Sequence, residues 1–464
     1  MIRLYDRQKI KEEMQQGTLL FTNRALAALL VPIIIEQFLN SFMGMVDTMM
    51  VSNVGSYAIT AVSLVDSINN LIIQIFSAMA TGASIICSQY LGAKDKDGCN
   101  KAARQVVLTV FVISMSIMIL GLIFRRGLLS FVFGSVEAVV MENCLIYFVL
   151  TALSYPFLAL FNVGAAFFRA GGNSKYPMVV SLISNGINIA GNSVLIFGCG
   201  MGVFGAAIAT LVSRIFCMVV IFIALARPKQ AIVIDHYLAI RPQADLIKKV
   251  LAIGIPSGIE NGMFQFGKLS IQSTISVLPT AALAAQAMTN ILENVNGIVG
   301  ISIGIGLMTV VGQCIGAGKK EQARYYVVKI TGIAWIGVIL SCLFVMAIVS
   351  PVTQLAGMEP ESAALCIHMV AAITVVKPIA WTLSFIPAYG MRAAGDVKFS
   401  MITSMITMWT VRVALCICLV KVFGFGTMAV WYGMFADWTV RGMIFSCRFL
   451  SGRWMKTSLV EQVG

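Results

Sequence analysis

The sequence predicts an all-α membrane protein whose twelve transmembrane helices form two pseudo-symmetric six-helix bundles, and three observations carry that prediction. Of 464 residues, 59% are hydrophobic and 11% charged, against about a quarter charged in soluble domains, so a soluble core cannot hide the apolar surface. Apolar runs of about 20 residues, the length that crosses a hydrocarbon core, recur along the whole chain. The third observation is internal repetition: VPIIIEQFLNSF returns as IPSGIENGMFQF at an offset of 224 residues, carrying Pro32 onto Pro256 and Glu36 onto Glu260. The same offset maps Ala58, Ala61, Gly82, Gln89, Gly92, Ala93 and Lys96 onto Ala282, Ala285, Gly306, Gln313, Gly316, Ala317 and Lys320. A duplicated apolar chain with an acid inside each half is the pattern of a secondary transporter, whose repeats rock about a central site.

In chain order, the spans of the first copy are expected near 25–51, 58–89, 105–124, 139–168, 176–197 and 203–226. Those of the second are expected near 250–277, 281–313, 326–349, 363–391, 399–420 and 427–447. The expected division is an N-terminal lobe over 1–226, a cytoplasmic linker over 227–249 and a C-terminal lobe over 250–464. The polar start MIRLYDRQKIKEEMQQG lacks the apolar core of a removable signal peptide, so the first span is expected to stay as the insertion signal. Pro32, Pro156, Pro256 and Pro378 fall inside spans, where a helix can bend. The linker is the one long polar connection; its periodicity from Leu238 to Leu246 fits a short surface helix, broken by Pro242.

The net charge of +13 does not point to nucleic acid, because 26 of the 33 basic residues lie in every second loop counted from the N-terminus. By the positive-inside rule both termini are cytoplasmic, and a bacterial inner membrane is the expected location. The eleven cysteines lack paired metal spacing, and even the CxC at Cys416 and Cys418 lies in an apolar helix, so they read as small packing residues. Only His236 and His368 are available to a catalytic or metal cluster, and they are far apart in sequence. GISIGIG has no phosphate-loop Lys. An enzyme and direct use of ATP are therefore both excluded on pattern, and no cofactor is expected.

Charges inside spans are costly, so each is a functional hypothesis with ion pairing as its alternative. The first copy places Glu36, Asp47 and Asp66 against Arg214; the second places Glu260, Glu293 and Asp437 against Lys268, Lys377 and Arg412. The excess of carboxylates assigns the coupling ion, a proton or sodium, to the N-terminal half. Glu36 and Asp47, 11 residues apart, share one helix face, but at about 1.5 Å per residue they are too distant to share a proton. Depth gives a second test: from the expected outer ends, Asp47 lies 4 residues in, Asn192 5, Thr210 7 and Asn188 9. These hard oxygens form one layer, a candidate site for a proton or sodium at Asp47, Asn188 and Asn192 with Thr210, the alternative being hydrogen bonds between helices. Glu36, Asp66, Glu260, Lys268 and Glu293 are candidates for a substrate cavity, with a Lys268 to Glu293 pair expected. Twenty-seven Met and 9% aromatic residues suit loose binding of flat apolar compounds.

VDTMMVSNVGSYAITAVS, SQYLGAKDKD, FRAGGNSKYPM at 168–178, MRAAGDVKFSM at 391–401 and GVFGAAIATLVSR at 202–214 resemble motifs of the multidrug and toxic compound extrusion (MATE) family, and the likeness runs through essentially the whole chain. The resemblance implies an outward-opening, V-shaped cavity between two six-helix bundles, with efflux of organic cations or other drugs against inward flow of protons or sodium. It also implies that Asp47 is the family's first-span acid, Asn188 and Asn192 its fifth-span polar pair and Thr210 its sixth-span hydroxyl. Asn192 stands where some relatives have an acid. Phe264 occupies the region of the seventh-span glutamate of other branches, and Lys377 stands in the tenth span where some branches carry an acid. The leading expectation is a cation-coupled exporter of drug-like small molecules, in contact with membrane lipid and acting as a monomer. The runner-up is a flippase for lipid-linked sugars, kept open by Lys268, Lys377 and Arg412 and separated from the exporter by a lipid-scrambling assay.

Overall fold

The computed structural model describes residues 4–134, 137–234 and 241–456. Those residues form helices and no strand, as backbone polar groups in lipid demand. The first copy contains α1 (Arg7–Gln15), α2 (Asn23–Ser52), α3 (Ser56–Gly92), α4 (Lys96–Ile123), α5 (Arg125–Phe133), α6 (Ala138–Leu153), α7 (Tyr155–Ala170), α8 (Lys175–Asn192) and α9 (Gly202–Leu225). The second contains α10 (Ala244–Ile275), α11 (Thr280–Gly316), α12 (Lys320–Leu355), α13 (Pro360–Val376), α14 (Thr382–Ala393), α15 (Val397–Ile406), α16 (Ala414–Lys421) and α17 (Met428–Leu450).

Among the described residues nine spans are long and apolar enough to cross a membrane, and α6 with α7, bent by 42°, makes a tenth. Two further helices, α10 and α17, lie at the remaining expected spans. Their hydropathy is lowered by charge: Asp245, Lys248, Lys249, Glu260 and Lys268 on α10, and Asp437, Arg441 and Arg448 on α17. Each of the twelve expected spans thus corresponds to a helix or to a helix chain. The expected surface helix from Leu238 falls partly outside the described residues, as does His236, while Leu246 belongs to α10.

By contacts the chain divides into two compact units, Val31–Gly258 and Met1–Leu30 with Ile259–Gly464. The cuts fall inside helices, beside Pro32 in α2 and close after Pro256 in α10. In the first unit α3 is the central post, packed by α4, α6 and α7. Its counterpart α11 holds that place in the second unit, packed by α12, α13 and α14, with 78% of its most apolar window buried. Small residues make this possible, since without a hydrophobic drive between helices in lipid, close van der Waals approach does the holding.

Three spans change to π-helical turns, at Ser193–Gly198 after α8, Lys377–Trp381 between α13 and α14, and Thr407–Val413 between α15 and α16. The second has a local cause, because Pro378 supplies no N–H to the helical ladder. Such turns widen a helix and re-aim its side chains, and they collect at functional sites. Each of these sits beside a polar residue singled out from the sequence: Asn192 precedes the first, Lys377 opens the second and Arg412 lies in the third.

Gly433 lets α17 lie against the third π turn, for a Cβ added there would stand 2.8 Å from the Arg412 carbonyl oxygen. Gly433→Ala is therefore expected to destabilise the protein by about 1–3 kcal/mol through overpacking. Thermal unfolding in detergent measures this, and an unchanged midpoint would contradict the close approach.

Candidate functional site

Each unit encloses a polar cavity of its own. The first, about 510 Å³, is lined by α2, α3, α6, α7, α8 and α9 and includes Asp47, Asp66, Asn188, Thr210 and Arg214. Asn192 Nδ2 donates to Asp47 Oδ1 at 2.7 Å and to Asn188 Oδ1 at 3.1 Å, and Asn188 Nδ2 donates to Thr210 Oγ1 at 3.4 Å. The layer found by depth is thus one chain of hydrogen bonds, with Asn188 and Asn192 one helical turn apart on α8. Asn192 is buried, and its Oδ1 has no partner among the described residues. Asp66 accepts from Asn69 Nδ2 at 3.1 Å and from the Tyr147 hydroxyl at 3.4 Å, while Tyr155 donates to Asn69 Oδ1 at 2.7 Å. Arg214 donates to Ser154 Oγ at 2.6 Å and forms no ion pair among the described residues.

The second cavity, about 430 Å³, is lined by α10, α11, α14, α17 and the last two π turns. Its walls are aromatic, from Phe264, Trp381, Phe385, Tyr389 and Trp438, and its charges are Lys268, Glu293 and Arg412. It is the first cavity over again in register. Asn40, Gly44, Asp47, Asp66 and Asn69 become Phe264, Lys268, Ile271, Asn290 and Glu293 at the 224-residue offset, and Asn188, Thr210 and Arg214 become Arg412, Met434 and Trp438. The chemistry has diverged while the positions have not.

The expected Lys268 to Glu293 pair does not form. Glu293 instead accepts from Lys377 Nζ at 2.5 Å, and that ammonium also reaches the Glu293 carbonyl at 3.1 Å. Lys377 is fully buried, whereas Lys268 is exposed in the cavity wall. Glu36 and Glu260 were expected to face a cavity, and neither lines one of these two. Arg169 Nη2 lies 2.7 Å from Glu36 Oε1, and Arg392 Nη2 lies 2.5 Å from Glu260 Oε1. The two arginines are the second residues of FRAGGNSKYPM and MRAAGDVKFSM, so the repeated acid and the repeated loop motif are halves of one ion pair.

Arg441, which lies within the last expected span, pairs with Asp437 on the same face of α17. These pairings revise the balance of charge. Of the first unit's inward groups, Asp47 and Asp66 stand against Arg214. In the second, with Glu260, Glu293 and Asp437 all paired, Lys268 and Arg412 remain. Among the described residues no three His, Cys, Asp or Glu side chains gather as a metal site. The oxygens around Asp47 come from amides and a hydroxyl, ligands suited to a hard monovalent ion.

A family model described as MatE matches residues 32–194 and again 256–418, the same repeat at the same register. The chain belongs to the MatE family. This MatE protein is 28% identical over 444 residues to "Uncharacterized transporter YisQ" of Bacillus subtilis (strain 168), covering 94% of this chain and 96% of that one. It is 24% identical over 455 residues to "Probable multidrug resistance protein NorM" of Thermotoga maritima, covering 95% and 94%. In fold it is similar to an outward-facing multidrug resistance MATE family transporter of the MOP superfamily, with TM-score 0.85, 19% identity and coverage of 92% and 96%. It is a multi-pass membrane protein of a transporter family.

The Glu260–Arg392 pair is largely buried, so removing one partner strands a charge at a cost of about 3–5 kcal/mol. Arg392→Ala is expected to lower the unfolding midpoint in detergent sharply, and Glu260→Gln on that background to recover part of the loss. If the double variant is no more stable than Arg392→Ala alone, the carboxylate is not what the arginine neutralises.

Proposed function

We propose that this protein exports small molecules across a bacterial inner membrane, driven by a proton or sodium ion taken up at Asp47. The observation that carries the reading is the chain Asp47–Asn192–Asn188–Thr210 on the wall of the first cavity. Asp47 has an amide donor and no cationic partner among the described residues, so its charge is left for an ion to meet. As arranged, Asn192 presents Nδ2 to the carboxylate and leaves Oδ1 empty-handed. A protonated Asp47 needs an acceptor, and a sodium ion needs oxygen. With Oδ1 of Asp47 held by Asn192, a proton can sit on Oδ2 without disturbing that bond, whereas bringing the Asn192 oxygen to a sodium ion takes rotation of its amide and breaks its bond to Asn188. Ion binding in this scheme acts on the bond that joins α2 to α8.

Alternating access follows from two-fold repeats with a coupling site in one of them. The name of the Thermotoga relative, a probable multidrug resistance protein, supports export as the direction and drug-like compounds as cargo. Both termini are cytoplasmic in this scheme and the working unit is a single chain. Lys268 and Arg412 bear on the choice of cargo and are taken up below.

Uptake of a fluorescent substrate into proteoliposomes, with a pH gradient and a sodium gradient imposed separately, tests the coupling. One gradient is expected to drive transport, and Asp47→Asn to abolish it while the protein remains folded. Uphill transport by that variant would refute the assignment. Topology has its own test, since Cys199 is exposed and follows the outer end of the fifth span. An impermeant maleimide is expected to label it in intact spheroplasts, and Cys199→Ser to lose that label.

A further inference from the structure

Two cations in the second cavity, Lys268 and Arg412, form no ion pair among the described residues. Arg412 is 5% exposed, its Nε is buried without a partner, and it forms no ion pair or hydrogen bond among the described residues. Its guanidinium lies 5.4 Å from the centre of the Phe264 ring, and the carboxylates of Asp437 and Glu293 act on it only through space. The Lys268 ammonium lies 5.9 Å from the same ring. Cation–π contact offsets only part of what burying an unpaired ion costs. The cavity's one carboxylate, Glu293, is held by Lys377, and behind the wall Asp437 pairs through Oδ2 with Arg441.

The fold does not require these cations. At the repeat-equivalent positions of the first cavity stand Gly44 and Asn188, both uncharged, on the same scaffold. Nor does the rest of the wall resemble a site for a compact inorganic ion. Trp381 and Phe385 are stacked with centroids 4.9 Å apart and planes 21° apart, and Tyr389 and Trp438 complete an aromatic lining. Gln286 is held by two bonds, accepting from the Trp431 indole at 3.0 Å and donating to Asn290 Oδ1 at 3.2 Å. A volume of about 430 Å³ is in the range of small-molecule sites.

We propose that the second cavity is a binding site for a planar aromatic anion, whose rings lie against the aromatic wall and whose carboxylate, sulfonate or phosphate meets Arg412 and Lys268. The inference rests on the transport reading for the direction of travel and names the class of its cargo: aromatic anions in place of the organic cations that the family resemblance implies. An organic cation would face two like charges and find no free carboxylate there. A lipid-linked phosphate would satisfy the cations and leave the aromatic wall unused.

Fluorescein and rhodamine 123 share a xanthene ring and carry opposite charge, so the pair isolates the sign of the site. Fluorescence polarisation of each with the full chain in detergent, without any ion gradient, reads binding independently of coupling. Fluorescein is expected to bind more tightly than rhodamine 123. Lys268→Gln and Arg412→Gln are each expected to weaken fluorescein by about tenfold, the loss of one charge-assisted contact, with Lys268→Arg retaining affinity and added salt weakening it. Lys268→Glu, at an exposed side chain that folding does not need, is expected to shift preference toward rhodamine 123, and it carries the test if Arg412→Gln fails to fold. Tighter binding of rhodamine 123 to the wild type, or fluorescein affinity unmoved by every Lys268 variant, would overturn the proposal. So would displacement of fluorescein by inorganic pyrophosphate as readily as by salicylate, since the rings would then contribute nothing. Failure of gradient-driven transport with fluorescein still bound would count against the coupling scheme alone.

Discussion

A charge inside a membrane has to be answered within the protein, by a partner, by water or by a ligand, and this constraint organises most of what the structure does with its ionisable residues. Arg169 and Arg392 return from the ends of α7 and α14 to meet Glu36 and Glu260. Lys377 is buried because Glu293 receives it, and Asp437 because Arg441 stands one turn away. Once those debts are met, the remaining inward charges are few: Asp47, Asp66 and Arg214 in one unit, Lys268 and Arg412 in the other. Unanswered charge is expensive to keep, so its survival at the walls of two cavities marks those walls as candidate sites.

Placing such residues needs more than helix periodicity. An unbroken α-helix fixes where each side chain points, and three spans escape that limit through π turns beside Asn192, Lys377 and Arg412. The turns are themselves supported by close packing. Gly433 admits the backbone of the third, and Gly205 lies against Leu195 in the first, where a Cβ would come 2.9 Å from that side chain. Local irregularity and tight neighbours are one device: the turn frees a backbone from its register and the glycine pins it in the new one.

Much of the fold was legible because membrane solvation writes itself plainly into sequence. Apolar run length gave the spans, and one offset gave the duplication. The spans at α10 and α17 were legible by repeat and position although their charges depress hydropathy. The layer of Asp47, Asn188, Asn192 and Thr210 could be found because depth along neighbouring helices needs only span ends, and errors of a few residues leave a layer intact. Ion pairing was not legible in the same way. Arg169 and Arg392 stand just past the ends of the expected spans 139–168 and 363–391, and a long side chain reaches back into the bundle from there. The signal was present nonetheless, since an acid repeated at one offset and an arginine repeated in a paired motif are what a duplicated ion pair looks like in one dimension. Lys268 was misassigned to Glu293 for a different reason: sequence shows which charges share a helix level but not which of two lysines arrives first.

Duplication explains why the two cavities can differ so far. A freshly duplicated pair would hold the same groups at the same positions, and every later change in one copy is judged by whether the other still supplies what the first has lost. At the positions of Asp47 and Thr210 the second copy holds Ile271 and Met434, so it lacks groups on which the proposed coupling chemistry depends. At the positions of Asn40, Gly44 and Asn188 it holds Phe264, Lys268 and Arg412. Differences of this kind on one scaffold are what a division between ion and cargo would leave behind. Opposite charge in the two proposed sites would also keep each from holding the other's ligand, for a cation would be repelled from the second and an anion from the first. An exchanger needs that discrimination, because a shared site lets the driving ion and its cargo compete in both directions, while separate sites of opposite sign leave each free to shift the conformational equilibrium by its own differential affinity.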